Sequence, residues 1–567
     1  MSGSLSSGAP TKAGTDGTAV VIGGGIAGLA TAALLARDGY GVTLLEARED
    51  VGGRAGSWEK HGFRFDTGPS WYLMPEVFDH FFRLLGTSAA EELDLVLLDP
   101  GYRVFFERGS TIDVPAGRAA VRAVFDEIEP GAGERLDAYL DSASETYTLA
   151  LRHFLYTTYA SLVPLAHRDI VRRLPLLAQL LGRSLESHVA ARFTDPRLRQ
   201  VLGYPAVFLG SAPRLTPSMY HLMSHLDLAD GVLYPMGGFT EVIRAVRSVA
   251  ERQGVVIRTG TEVLSITTEP DGRRARATGV TYRDTDGSTR TLAADVVVSG
   301  ADLHHTETDL LPRERSSRPQ RWWDRRVAGP SAVLLYLGVR GQIPELEHHS
   351  LFFTENWQEG FDRIFHGNGG RRGAASASAS TGAAGVPQPF PERVSLYVCR
   401  PSATDPDVAP EGSENLFVLV PVPADPRLGR GGLDGGGDAW VEAVADAAIA
   451  QIAAWAGVPD LADRITVRRT VGPADFAGDF HAWRGTALGP AHTLGQSAMF
   501  RAGNASRRVR GLYYAGGSVT PGIGLPMCLI SAELVIKRLR GDTSTGPLPE
   551  PADGGLPSGR AREPERA

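Results

Sequence analysis

TAVVIGGGIAGLATAALLARDGYGVTLLE, residues 18–46, reads as strand, glycine turn, helix and second strand. Ala19 to Ile22 is an unbroken apolar run of the kind a parallel strand buried on both faces needs. Gly23-Gly24-Gly25-Ile26-Ala27-Gly28 follows it as G-x-G-x-x-G, a helical run extends to Asp38, and the second strand, Gly41 to Leu45, ends on Glu46. Each glycine has its own reason in such a unit. Gly23 permits the tight turn, Gly25 lets backbone approach a pyrophosphate, and Gly28 lets the helix pack closely on the strand, while the helix N-terminus offers N–H groups to the phosphates. Glu46, 18 positions past Gly28, stands where a carboxylate accepts hydrogen bonds from both ribose hydroxyls and repels a 2′-phosphate. The unit predicts a dinucleotide site and leaves NAD and FAD both open.

The whole composition frames that site. A chain of 567 residues exceeds one ordinary core, so a cofactor domain with an attached substrate domain is expected. Hydrophobic residues at 43% and charged residues at 22% fit a folded protein, and a net charge of −7 carries no nucleic-acid footprint. Cys399 and Cys528 lie far apart with no CxxC or histidine spacing, which predicts neither disulfides nor a metal site and fits a reducing cytoplasm. Lysine supplies only Lys12, Lys60 and Lys537 of the 58 basic residues; this arginine bias lowers the weight of any arginine cluster. MSGSLSSGAPTKAGTDG lacks the apolar core of a secretory signal, and the uncharged stretch 19–36 is broken by three consecutive glycines, so it is not read as a membrane span.

Composition and periodicity divide the chain as follows: a disordered lead-in (1–17), a first cofactor segment (18–85), a helical substrate or membrane region (86–230) and a second cofactor segment (231–300). A substrate domain (301–490) with a flexible Ser/Ala/Gly loop (367–391), a third cofactor segment (491–541) and a disordered Pro/Gly tail (542–567) complete it.

Val51-Gly52-Gly53-Arg54 directly after the second strand resembles the GGR element of flavin amine oxidases and carotenoid desaturases, and Asp66-Thr67-Gly68-Pro69-Ser70 resembles their D-x-G-P-[ST] element. Tyr234-Pro235-Met236-Gly237-Gly238, Val263 in TEVLSI, APEGSENLFVLVPVP (409–423), LGQSAMFRAGN (494–504) and GLYYAGGSVTPGIGLPMCLISAELVIKRL (511–539) extend the likeness. On these motifs the chain resembles a bacterial phytoene desaturase. The resemblance implies an α/β fold: a Rossmann-like, glutathione-reductase-like FAD-binding domain of the flavin amine oxidase superfamily, an inserted substrate domain and a helical membrane-facing region. It also implies FAD contacts at Arg54, Asp66, Gly68, Val263, Gly516, Gly517 and Leu525, beside Gly23, Gly25, Gly28 and Glu46. Asp66 is open to a second reading as a loop-ordering carboxylate. Thr520 stands where many relatives carry histidine before Pro-Gly, so no histidine role carries over.

Dehydrogenating a CH2–CH2 unit needs a hydride acceptor, which a flavin supplies, and a proton acceptor. Arg168-Asp169-Ile170-Val171-Arg172 resembles a family run whose Asp and second Arg are proposed acid/base participants, which makes Asp169 and Arg172 the catalytic candidates; an exposed ion pair is the alternative. The implied partners are a long apolar polyene such as phytoene, a membrane surface met by the arginine-punctuated apolar stretch 151–185, and a quinone or oxygen as electron acceptor. The expected activity is stepwise desaturation of 15-cis-phytoene toward lycopene by a cytoplasmic protein peripherally bound to the membrane. A desaturase of a C30 or modified carotenoid, a carotene isomerase and a non-catalytic isoprenoid carrier remain as alternatives.

Overall fold

The computed structural model describes residues 17–161, 163, 167–365 and 393–551. The expected loop 367–391 lies outside them, as do the lead-in up to residue 16 and the tail beyond 551.

Five short parallel strands form the first layer: β1 (Thr18–Ile22), β2 (Gly41–Leu45), β3 (Val256–Arg258), β4 (Val296–Ser299) and β5 (Leu512–Tyr514), in the order β5-β4-β1-β2-β3. Val20 sits between Val297 and Thr43, so the glycine turn after β1 opens at the carboxyl edge of a sheet assembled from three distant parts of the chain. Helix α1 (Ile26–Arg37) is apolar around its whole circumference because α2 (Phe239–Arg252) and α3 (Leu525–Arg540) both pack on it; Ile26 through Leu35 are all buried. A three-stranded antiparallel meander (Glu262–Asp271, Arg274–Arg283, Thr289–Ala293) is joined by Val509–Arg510.

The second layer is a seven-stranded sheet in the order Ile465–Val471, Ser331–Arg340, Ser413–Val422, Leu396–Cys399, His349–Phe353, Tyr102–Phe106, Thr111–Val114. The second strand in that order, Ser331–Arg340, is buried on both faces. Val333, Leu335 and Leu337 meet helix Ala439–Ala456, and Ala332, Leu334 and Tyr336 meet Phe63, Phe65 and Phe417 toward the cofactor domain. The region 86–230, expected to be helical, contributes Tyr102–Phe106 and Thr111–Val114 to this sheet, the first of them pairing in parallel with His349–Phe353. Apart from the single turn Ala89–Glu92, the helices of that region begin at Arg118.

Residues 542–551, expected to belong to an unstructured tail, pack against α3. Lys537 is buried, and its ammonium donates to the carbonyls of Tyr156 (2.8 Å), Ser544 (2.9 Å) and Gly546 (2.6 Å). Leu548 enters the core beside α1 and α3, its N–H donating to Glu533, and His80 bridges Glu533 and Glu550. Replacing Lys537 with Met orphans three carbonyls, an expected loss of about 1–3 kcal/mol, and frees 542–551 for limited proteolysis. An unchanged unfolding temperature and digestion pattern would contradict this role.

Candidate active site

Three turns meet at the carboxyl edge of the parallel sheet with no space for side chains between them. Gly23 has φ +92°, and a Cβ on Gly28 would lie 1.9 Å from its carbonyl oxygen. The GGR turn docks there through Gly52 N–H to Gly24 O (2.9 Å), and a Cβ on Gly68 would stand 2.0 Å from the Arg54 carbonyl. Gly68 thus holds the D-x-G-P turn against the GGR turn and also contributes to the cavity wall. At Gly25 a Cβ would meet nothing within 4 Å, so its backbone faces open space at the start of α1.

Glu46 is oriented by backbone: Oε2 accepts from the N–H of Gly24 (2.6 Å) and Oε1 from that of Arg48 (2.9 Å). The carboxylate still lines the cavity, with a lone pair left on each oxygen for a ribose hydroxyl. Thr261 N–H donates to the Glu46 carbonyl (2.8 Å), which brings Val263 to the same end of the cavity. Arg54 is buried, and its Nε and Nη2 have no hydrogen-bond partner in the protein. Phe480 lies under the guanidinium at 5.7 Å, and burial holds its pKa below the ordinary arginine value. Asp302 is the acid close enough to act on it, but two buried donors without hydrogen bonds are costly, so an anionic acceptor belongs here. Opposite, Gly516 (φ +112°), Gly517 and Leu525, the first residue of α3, present a turn and a helix N-terminus to the same space.

Sequence reasoning left LGQSAMFRAGN without a chemical role; the fold supplies one. Buried Arg501 donates to the Val519 carbonyl (3.0 Å) and to that of Gly517 (2.5 Å), and Asn504 binds the carbonyls of Tyr514 (3.2 Å) and Thr520 (3.0 Å). Thr520 in turn donates to Asn504 Oδ1 (2.5 Å), so the glycine turn before α3 is braced from behind.

Two expectations are corrected. Asp66 does not line the cavity: it accepts from the N–H groups of Phe239 (2.7 Å) and Thr240 (3.1 Å) and from the Thr240 hydroxyl, capping α2 from another part of the chain, with its pKa pushed up to about 6 by burial. Asp169 and Arg172 sit on a short surface helix, Arg168–Arg172, outside the cavity. Asp169 faces His167 (3.5 Å) and His153 (4.0 Å), and Arg172 is exposed. Their motif placed them on one helix but carried nothing about where that helix docks.

The cavity encloses about 1680 Å³, more than the roughly 300–1,000 Å³ that one small ligand fills. Beyond the glycine turns its wall turns apolar and aromatic: Trp71, Tyr204, Phe208 and Tyr397 form one cluster, and Phe154, Leu155, Tyr159, Leu222, Met223 and Leu226 another. One end is built for a dinucleotide, and the remainder suits a long hydrocarbon.

The chain matches the flavin containing amine oxidoreductase family over residues 26–536. It belongs to that family. Among the relatives of this flavin oxidoreductase, a carotenoid 3,4-desaturase from Haloarcula japonica is 40% identical over 90% of this chain and 96% of its own. A zeta-carotene-forming phytoene desaturase from Myxococcus xanthus is 33% identical over 92% and 93%. Putrescine oxidase with bound putrescine shares the fold at a TM-score of 0.55 and 14% identity, covering 93% of this chain and 98% of its own. The protein is therefore an FAD-dependent oxidoreductase acting on CH–CH bonds, of carotenoid desaturase kinship. The unpartnered Arg54 guanidinium and the open backbone at Gly25 fit the FAD pyrophosphate, and Glu46 fits its ribose.

Glu46→Ala is expected to weaken FAD binding by roughly tenfold or more, whereas Asp66→Ala is expected to lose about 1 kcal/mol of stability and keep its flavin. Flavin absorbance and the unfolding temperature separate the two; a stable, flavin-free Asp66→Ala protein would return Asp66 to the cofactor contacts.

Proposed function

We propose that this protein desaturates an acyclic carotenoid drawn from a membrane surface. The carrying observation is the continuous cavity, walled by the glycine turns, Glu46 and Arg54 at one end and mostly by aliphatic and aromatic side chains over the rest. When bound, FAD supplies a two-electron acceptor that takes a hydride from a C–H bond. The chain's own contribution is to exclude water and hold the polyene straight. The Trp71, Tyr204, Phe208 and Tyr397 rings offer π faces to the allylic cation that hydride loss creates.

The 40% relative, a carotenoid 3,4-desaturase, favours desaturation at the 3,4 position of an already conjugated carotenoid. Conversion of 15-cis-phytoene toward lycopene is the second reading. It is supported by phytoene desaturases such as the lycopene-forming one of a Paracoccus species, 30% identical over 93% of this chain.

Membrane access is supported by the surface beside the apolar end of the cavity. Val163, Val171, Leu174 and Leu181 are all at least 38% exposed, interspersed with exposed Arg168, Arg172 and Arg183, and His153, directly before the cavity residues Phe154 and Leu155, meets Asp169 of this segment. Among the described residues no helix is long and apolar enough to cross a membrane, so contact with one face of a bilayer is the proposed mode, from the cytoplasmic side. A bilayer quinone or oxygen is the proposed reoxidant.

Vesicles carrying either 15-cis-phytoene or lycopene, incubated with the FAD-loaded protein, test the reading through the chromatographic identity of the extracted pigment. A new terminal double bond on lycopene supports 3,4-desaturation, and conversion of phytoene supports the second reading. Geometric isomers alone, with no longer conjugation, would contradict both.

A further inference from the structure

Loss of a hydride from a CH2–CH2 unit leaves a cation that must give up a proton, and neither Asp169 nor Arg172 reaches the cavity. A different carboxylate is wired to its wall. Asp227 is 4% exposed on the short helix Met223–Leu228, next to the cavity residue Leu226. Tyr204, a wall residue, donates its hydroxyl to Asp227 Oδ2 at 3.1 Å, and Tyr102 donates to the same oxygen at 3.3 Å. Asp227 Oδ1 has no partner.

The groups facing Asp227 are hydroxyls. Tyr102 comes from its strand and Tyr204 from the segment Tyr204–Val207; Tyr139 of helix Ala132–Ala150 stands close by with its buried hydroxyl beside Ser224. Behind Tyr139 pack His221 and His188, whose pKa values burial pushes down to about 4 and about 3, and Arg192, which donates to the His188 carbonyl. No salt bridge to Asp227 occurs among the described residues.

We propose that Tyr204 and Asp227 form the proton exit of the desaturation, Tyr204 meeting the reacting carbon and Asp227 receiving the proton through it. The inference rests on the desaturase reading above. The electron pair of one C–H bond leaves as hydride to the flavin; the pair of the neighbouring C–H bond becomes the new π bond. Its proton joins the Tyr204 oxygen while the Tyr204 hydroxyl proton passes to Asp227, which changes from carboxylate to carboxylic acid. Electrostatics favours this direction, because cation and buried carboxylate are both discharged in one transfer. A second chain also starts at the wall, Ser70 to Tyr397 (2.7 Å) to His349 Nδ1 (2.8 Å), but it ends on a buried imidazole beside His348, where a proton would create a charge instead of removing one. Tyr204 is the catalytic residue in this scheme and Asp227 positions and drains it.

Burial pushes the Asp227 pKa up to about 7. Turnover by the FAD-loaded full chain in carotenoid vesicles is therefore expected to rise with pH through about 7 and then level. Asp227→Asn and Tyr204→Phe are each expected to lose on the order of 100-fold or more in kcat with FAD content unchanged, and Asp227→Glu to restore part of it with a displaced pH midpoint. A readout independent of catalysis follows from the same group. A folded-state pKa above the ordinary carboxyl value means that stability declines as pH rises from the ordinary carboxylate range toward about 7, and Asp227→Asn lessens that decline. Wild-type turnover and an unchanged pH profile in Asp227→Asn would overturn the proton exit while leaving the desaturase reading intact. So would a flat wild-type profile, or loss in Tyr397→Phe with Tyr204→Phe unaffected. Wild-type protein that binds FAD but converts no carotenoid overturns the reading itself and the inference with it.

Discussion

Contact between backbones, with no side chain between them, is the constraint on which the cofactor end depends. Gly28 presses on the Gly23 carbonyl and Gly68 on the Arg54 carbonyl, at distances that leave no room for a Cβ. Because the three turns interlock in this way, Glu46 and Arg54 converge on one space although they belong to separate segments. The rest of the molecule is arranged around that crossing: α3 brings its N-terminus from the far end of the chain, and Arg501 and Asn504 fix the turn before it.

Charge in this protein is rationed along the cavity. Near the glycine turns Arg54 keeps two buried donors, Nε and Nη2, without hydrogen bonds and calls for an anionic acceptor. Elsewhere the wall is mostly aliphatic and aromatic; acids on it such as Glu107, Glu359 and Asp362 are ion-paired with Arg393, Arg363 and Arg214, and Asp227 is set back behind the Tyr204 hydroxyl. A dry slot of this kind strengthens every electrostatic interaction inside it. One well-placed carboxylate then acts at a distance on a cation formed against aromatic rings.

What the sequence made legible was local. The strand, glycine turn, helix and acid lie within residues 18–46, and their spacing alone places Gly23, Gly25, Gly28 and Glu46 at one edge of a parallel sheet. Asp66 was harder to read because its partners, Phe239 and Thr240, lie more than 170 positions away. The strands Tyr102–Phe106 and Thr111–Val114 were hidden for a similar reason: each is short and finds its place only through a sheet completed by residues beyond 330. Tyr204 and Asp227 carried no motif at all. An acid flanked by leucines in a helical run gives no sign that two tyrosines from other elements will surround it. Asp169 and Arg172 show the converse, a recognisable run whose position on the surface was not written in its spacing.

The central claim is that flavin reduction and carotenoid desaturation are one event in this cavity. Anaerobic mixing of the FAD-loaded protein with carotenoid in vesicles measures it directly, by following the flavin's visible absorption and the pigment's conjugation in the same sample. One flavin bleached per double bond formed is the expected result. A flavin that stays oxidised in the presence of both phytoene and a more conjugated carotenoid would contradict the account.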